Sequence, residues 1–481
     1  MLGYSSENSR HSIPIRGGYE VEDLANLAIE TGIDTGASFV DIRLEYTRKT
    51  NLDVVNEVTR NTILATEKGA GIRAFADGSW AFGYTSDLSK AGIKNAAKSI
   101  TKMAIAASKW TEERYEIEAP SFQDLIEYKG KIPIDKTPVE YKIDLAKRLS
   151  KDMSQVDPRV KSARIVYRDI YTELLVANSL GTMVRQETGR LVFIPMCTAK
   201  DERSTQQAHL ALGFTGGLGD VSDELLQMLV NEPSRVALSL LDSKAVKGGV
   251  YDVIADPPLN GAMIHEAFGH ACEGDSLTGG SSVLQDRMGT RVGPEHINLF
   301  DDTTLKGHLG SAVYDWEGTR TKRKQLVKDG VLSEFMHSLD TASRLEMEAN
   351  GAARAMTFMY PPIPRMSNTF MEPGDWNLDE LIEDTKEGII MCNVDYGYTD
   401  STKGSFMFKS VHGQLIENGE RTDIVRDASI AGQILDILPK IDAICSDFFY
   451  DAGSCGTQGQ MAWVMSGGPH IRLKQVPVGG V

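Results

Sequence analysis

Asp256-Pro257-Pro258-Leu259-Asn260-Gly261-Ala262-Met263-Ile264-His265-Glu266-Ala267-Phe268-Gly269-His270 reads as a helix. Asp256 suits the N-cap, where a side-chain oxygen accepts an orphan amide proton, and proline is favoured at the first helical position. Ala262, Met263 and Ile264 make the middle of the helix apolar, so it belongs in a core. Around it lie many glycines and short β-like runs at residues 325–332, 404–411 and 414–417. This pattern predicts a β-rich C-terminal half, with a curved or barrel-like sheet around its one clear helix.

Upstream the periodicity differs. A helix is expected over residues 20–31, with Leu24, Leu27 and Ala28 at helical spacing and Gly32 as its stop. Ile42, Leu44 and Tyr46 then alternate with Arg43, Glu45 and Thr47, the two-residue repeat of a half-buried strand. Runs at 72–76 and 80–84 flank Asp77-Gly78, a hairpin signal because such a turn needs positive φ at both central residues. Helices follow at 87–110 and 139–156. A second meander starts near Ser162, with turns at 178–181 and near Thr188-Gly189, and a further helix covers 222–241. Helix, strands, helices, strands is an α+β order, not alternating βαβ. The expected organisation is a flexible arm over residues 1–18, an N-terminal α+β domain of antiparallel sheets with helices over 19–245, and a C-terminal domain over 246–481.

Composition narrows the function. The 481 residues carry 51 basic and 67 acidic side chains, a formal charge of −16, which argues against direct binding of nucleic acid. With 41% hydrophobic and 25% charged residues the chain is an ordinary globular one. Its five cysteines are scattered and form no C-x-x-C pair, as expected of reduced thiols in the cytoplasm. No apolar run is long enough for a membrane span, and residues 1–18 contain no apolar signal core.

The chemistry concentrates at the end of the quoted helix. His265, Glu266 and His270 follow the pattern H-E-x-x-x-H, one residue longer than the H-E-x-x-H of zinc proteases. Five residues rotate the second ring by roughly 140° from the first, against about 40° for four, so a regular α-helix would point the rings apart. Either a π-bulge or an end of the helix at Gly269 would bring them together, and both predict an irregularity between Glu266 and His270. A His-Glu pair on a helix can equally be surface decoration, and Cys455 can be an ordinary turn thiol in the flexible Gly453-Ser454-Cys455-Gly456.

Residues 265–270, followed by Glu273-Gly274-Asp275, resemble the signature of the TldD/PmbA family of zinc metallopeptidases, in its TldD-type, catalytically active form. Asp329-Gly330-Val331-Leu332, Pro364-Arg365-Met366-Ser367-Asn368-Thr369, Gly404-Ser405-Phe406-Met407-Phe408, Leu415-Ile416-Glu417-Asn418-Gly419 and the Cys455 segment carry the same resemblance from about residue 20 to the C-terminus. It implies one zinc ion per chain, held by His265, His270 and Cys455, with Glu266 as acid/base. Two imidazoles and a thiolate suit zinc and leave a fourth position for water, whose pKa zinc lowers from 15.7 to about 7. Cys272 and Glu273 are competing ligands. His412 and Arg365 are candidate oxyanion partners with nothing to raise them above surface residues.

The resemblance further implies peptide or unfolded polypeptide substrates and a homodimer, or a heterodimer with a PmbA-type paralogue. Residues 404–411 are a candidate edge strand for an extended substrate, although an ordinary inner strand is the commoner reading of such a run, whereas 395–400 depart from the Gly-rich pattern expected there. Two other functions are compatible: a non-catalytic partner subunit of a heterodimeric protease, and a zinc hydrolase of a small non-peptide amide.

Overall fold

The computed structural model describes residues 20–400 and 402–480, so the expected N-terminal arm lies outside them. Helix α1 (Val21–Thr35) leads into β1 (Phe39–Val55), β2 (Val58–Ala76) and β3 (Ser79–Thr85). Gly32 lies inside α1 and does not end it; a Cβ there would sit 2.6 Å from Val40, so glycine lets the helix press onto β1. The helix stops at Gly36, whose φ of 112° is left-handed. Asp77 and Gly78 take φ of 46° and 82°, the expected hairpin turn between β2 and β3.

Helix α2 (Lys90–Ser108), strand β4 (Gln123–Ile126) and helix α3 (Val139–Ser154) precede the second meander, β5 (Val160–Asn178) and β6 (Met183–Lys200). Strand β6 runs unbroken through Thr188-Gly189, where the missing side chain makes room for the Tyr128 ring, so no turn forms there. Strands β7 (Thr205–His209) and β8 (Leu212–Thr215) both pair with β6, and α4 (Asp223–Leu240) closes the N-terminal half.

The two meanders are not separate sheets. Pairing of β1 with β5 joins them into one eight-stranded sheet in the order β3-β2-β1-β5-β6-β4. The alternation at Ile42, Leu44 and Tyr46 holds, with Ile42 and Leu44 packed against α1 and α2. The opposite face, however, is also buried. Arg43 donates to the Tyr360 carbonyl at 2.9 Å, and Glu45 accepts from the Phe358 amide at 2.5 Å. Arg73 pairs with Asp41 and with Glu317 at 2.8 Å, and Trp80 donates to Asp340 at 2.8 Å. Polar residues on this face therefore meet C-terminal residues, where simple alternation suggested water.

The C-terminal half contains a ten-stranded and a six-stranded sheet, and among the described residues neither closes into a barrel. The larger runs from the edge strand Tyr396–Asp400 through Ser405–Lys409, Ser429–Gln433, Ile471–Gly479 and Gly249–Ala255 towards Glu420–Arg426. The smaller ends on the hairpin Phe449–Thr457 and Gln460–Gly468. The quoted helix lies between them, its Leu259, Met263, Ile264 and Phe268 sharing one core with Leu473 and Ile471 of one sheet and Leu299 and Val464 of the other. It is not the sole helix of this half, since Leu378–Thr385 forms another. Among the described residues no helix is long and apolar enough to cross a membrane.

Arg73 joins two buried carboxylates, one from the eight-stranded sheet and one from the C-terminal half. Replacing it by methionine strands the carboxylates of Asp41 and Glu317, whose side chains are 1% and 0% exposed. Breaking such a buried pair costs about 3–5 kcal/mol. Arg203→Met, which breaks the exposed pair with Asp242, is expected to cost at most about 1 kcal/mol. Urea and thermal unfolding of the two variants check the contrast.

Candidate metal centre

Three local features bring the site together. First, Asp256 caps the helix: one carboxylate oxygen accepts from the Leu259 amide and the other from the Asn393 amide, each at 2.9 Å. Burial nevertheless pushes its carboxyl up to about 6. Second, Gly261 lets the helix touch the hairpin, because a Cβ there would lie 2.6 Å from the Gly467 amide nitrogen. Third, the helix Pro257–Met263 continues as a π-helical turn over Ile264–Gly269 and a short 3₁₀ turn over His270–Cys272. The extra residue per π turn is the irregularity that the five-residue spacing demands. The His265 and His270 ring centroids lie 5.4 Å apart.

Cys455 comes from the neighbouring hairpin. The segment 453–456 is not a turn, as its glycines suggested, but the middle of the strand Phe449–Thr457, with Cys455 opposite Ala462. The turn lies beyond it at Gln458 and Gly459, with φ of 50° and 74°. A Cβ on Gly453 or Gly456 would meet only Val464 and Met461 of the paired strand, so the close approach of helix and hairpin is made elsewhere, by Gly261 against Gly467.

The ligand atoms of His265, His270 and Cys455 all lie within 4.8 Å of one another. Cys455 Sγ is 3.2 Å from His270 Nε2, while His270 Nδ1 is 2.9 Å from Glu273 Oε2. A carboxylate on the far nitrogen fixes the tautomer and aims the near one at the centre. Glu266 reaches in from the side, with Oε2 3.7 Å from His270 Nε2 and its side chain 40% exposed. Burial raises the Cys455 thiol, but the charges of His265 and His270 and their hydrogen bonds outweigh it and bring it down to about 4. Burial lowers both imidazoles. At His265 the charge and hydrogen bond of Cys455 together with Glu266 outweigh this, and at His270 Glu273 and Cys455 together do so, so both end raised. The site favours thiolate, the form that ligates metal.

The remaining sequence candidates separate cleanly. Cys272 is wholly buried in the apolar core outside the cluster, and burial drives its thiol far above the usual range. Glu273 is the hydrogen-bond partner of His270. His412 lines a different cavity, with His209, Asp256 and His470. Arg365, 1% exposed, is no surface residue. Residues 404–411 do not offer an edge: Ser405–Lys409 is paired on both sides, by Tyr396–Asp400 and Ser429–Gln433. The open edge is Tyr396–Asp400 itself. Thr457, whose hydroxyl is 3.4 Å from His270 Nδ1, carries no signal in the sequence.

Domains of one known family match most of the chain. The PmbA/TldA metallopeptidase domain 1 matches residues 40–106, the central domain 132–241 and the C-terminal domain 248–480. The chain belongs to the PmbA/TldD metallopeptidase family. It is 35% identical to metalloprotease MJ0996 of Methanocaldococcus jannaschii over 92% of this chain and 97% of the relative. It is 30% identical to a zinc metalloprotease TldD homolog of Saccharolobus solfataricus, over 94% of this chain and 99% of the relative. Its fold resembles that of TldE from Thermococcus kodakarensis, with TM-score 0.77 at 16% identity over 95% of this chain and 100% of that one.

The donor set fits zinc. It offers two nitrogens and one sulfur, and His265 Nδ1 is buried without a hydrogen-bond partner. Such an atom is costly unless something unseen satisfies it. Metal analysis and chelator competition are expected to find zinc in the wild-type protein and none in Cys455→Ala. Glu273→Gln, which keeps all three donors but weakens the hold on His270, is expected to lower affinity about 10–100-fold.

Proposed function

We propose that this chain is a zinc-dependent metallopeptidase that hydrolyses peptide bonds in peptides or unfolded protein segments. The observation that carries the reading is the convergence of two imidazoles and a thiol within 4.8 Å, beside a carboxylate open to solvent. His265, His270 and Cys455 would hold one zinc ion, and three protein donors leave a position open. Bound zinc supplies Lewis acidity towards water and towards a carbonyl.

The chain's own residues supply the proton chemistry and the alignment. Glu266 is a general base: one carboxylate oxygen takes a proton from the attacking water and later returns it to the leaving amine. Its exposure suits this role, since it must meet both water and substrate. Glu273 keeps His270 Nε2 turned inward throughout. An extended substrate has a natural platform in the edge strand Tyr396–Asp400, which packs beside the π turn and exposes Tyr396 and Tyr398. Main-chain pairing at such an edge selects for extended backbone and little for sequence. A cytoplasmic homodimer, or a heterodimer with a PmbA-type paralogue, is part of the same reading. The complete donor set argues for the active member of such a pair over a non-catalytic one.

Glu266→Gln is expected to keep its zinc and to lose about 10²–10⁴-fold in turnover of an unfolded protein. His265→Ala is expected to lose both metal and turnover. Cleavage assays with an unfolded protein beside a panel of small amides, with zinc measured in each variant, test the reading. A Glu266→Gln variant as active as wild type overturns the assigned role, and hydrolysis confined to small amides overturns the substrate class.

A further inference from the structure

The segment Pro364-Arg365-Met366-Ser367-Asn368-Thr369 supplies no ligand, yet it touches both arms of the metal site. Arg365 Nη2 donates to the Cys455 carbonyl at 2.7 Å and Nη1 to the Gln460 carbonyl at 3.2 Å. One guanidinium thus spans the two strands of the hairpin on either side of its turn. Its Nε faces Glu273 Oε1 at 3.6 Å, and the other oxygen of Glu273 is the one bound to His270 Nδ1. Neither Arg365 Nε nor Glu273 Oε1 has a hydrogen-bond partner, so charge alone closes that link. The next residue continues the brace: any Cβ on Gly269 would overlap the Met366 sulfur, so Met366 lies directly against the π turn. Ser367 and Thr369 anchor the segment from behind through Asp301, at 2.8 Å and 3.0 Å.

We propose that Arg365 is a positioning residue that sets the spacing between His270 and Cys455, acting on one through Glu273 and on the other through its backbone carbonyl. The proposal rests on the zinc-site reading above. A contribution to the general fold would act equally on metal-free and metal-loaded protein, whereas this link runs between two donor-bearing elements that share no covalent neighbourhood. Only a planar fork fits the geometry, because three acceptors lie in three directions; a lysine has a single nitrogen and would have to abandon at least one of them.

The test uses the full chain and four proteins: wild type, Arg365→Lys, Arg365→Met and Cys455→Ala. Zinc affinity is measured by chelator competition. The cobalt-substituted forms are read by their thiolate-to-metal charge-transfer absorption, which reports whether the sulfur is a ligand. Arg365→Lys is expected to bind zinc about 10–100-fold more weakly, the usual effect of losing an outer partner of a ligand. Its charge-transfer band is expected to weaken while the thermal midpoint of the metal-free protein stays close to wild type. Arg365→Met is expected to lose more in both readouts, and if it does not fold, the lysine variant decides. Wild-type affinity with a full-strength band in a folded Arg365 variant overturns the proposal. So does an affinity loss matched by an equal loss of metal-free stability with the band intact. If Cys455→Ala binds zinc as tightly as wild type, the zinc-site reading falls, and the positioning role of Arg365 falls with it.

Discussion

A helix that must present two side chains five residues apart to one point cannot remain α-helical, and the rest of the site is arranged around that constraint. The widened turn over Ile264–Gly269 removes the roughly 140° divergence that regular geometry would impose. A π turn is costly in isolation because its hydrogen bonds are poorer and its axis is loose, so it persists where packing over-determines it. Here the packing comes from every side. Ile264, Ala267 and Phe268 are buried between two sheets, Met366 closes against Gly269, and the hairpin with Cys455 approaches from the third direction.

Charge is the second organising principle. Thiolate, two imidazoles and the Glu273 carboxylate crowd into a buried region, with the Arg365 guanidinium on its far side. Each would be expensive to bury alone. Together they form a chain of contacts in which each group has at least one direct partner. Glu266 stands apart, more exposed than the others and outside the three-donor cluster.

The helix was legible because its evidence is local. Capping at Asp256, proline at 257 and the five-residue spacing lie close together in the chain, and the spacing predicted an irregular turn wherever both rings were to meet. The position of Cys455 was not legible in that way. Its glycine-rich surroundings imitate a loop, and only pairing with residues 460–468 shows that they are a strand. Whether residues 404–411 form an edge or an inner strand was hidden for a related reason: a short β-like run does not reveal how many neighbours it will have. Arg43, Glu45 and Arg73 each have a partner hundreds of residues away in the chain, so no window of local sequence could show that the second face of β1 and β2 is covered.

That covered face bears on how the molecule assembles. The eight-stranded sheet could take up its hydrogen-bonded pattern early in synthesis, with α1 to α4 already packed on one side. Its other side would then display Asp41, Arg43, Glu45 and Arg73 with their counterparts Glu317, Phe358 and Tyr360 still untranslated. Closure across such sequence distance is slow, and unfinished chains with exposed sheet surface are the ones that associate wrongly. Asp41, Arg43, Glu45 and Arg73 keep their part of the waiting surface hydrated until later residues replace the water, beside Phe39 and Phe75, which wait for Leu339 to cover them.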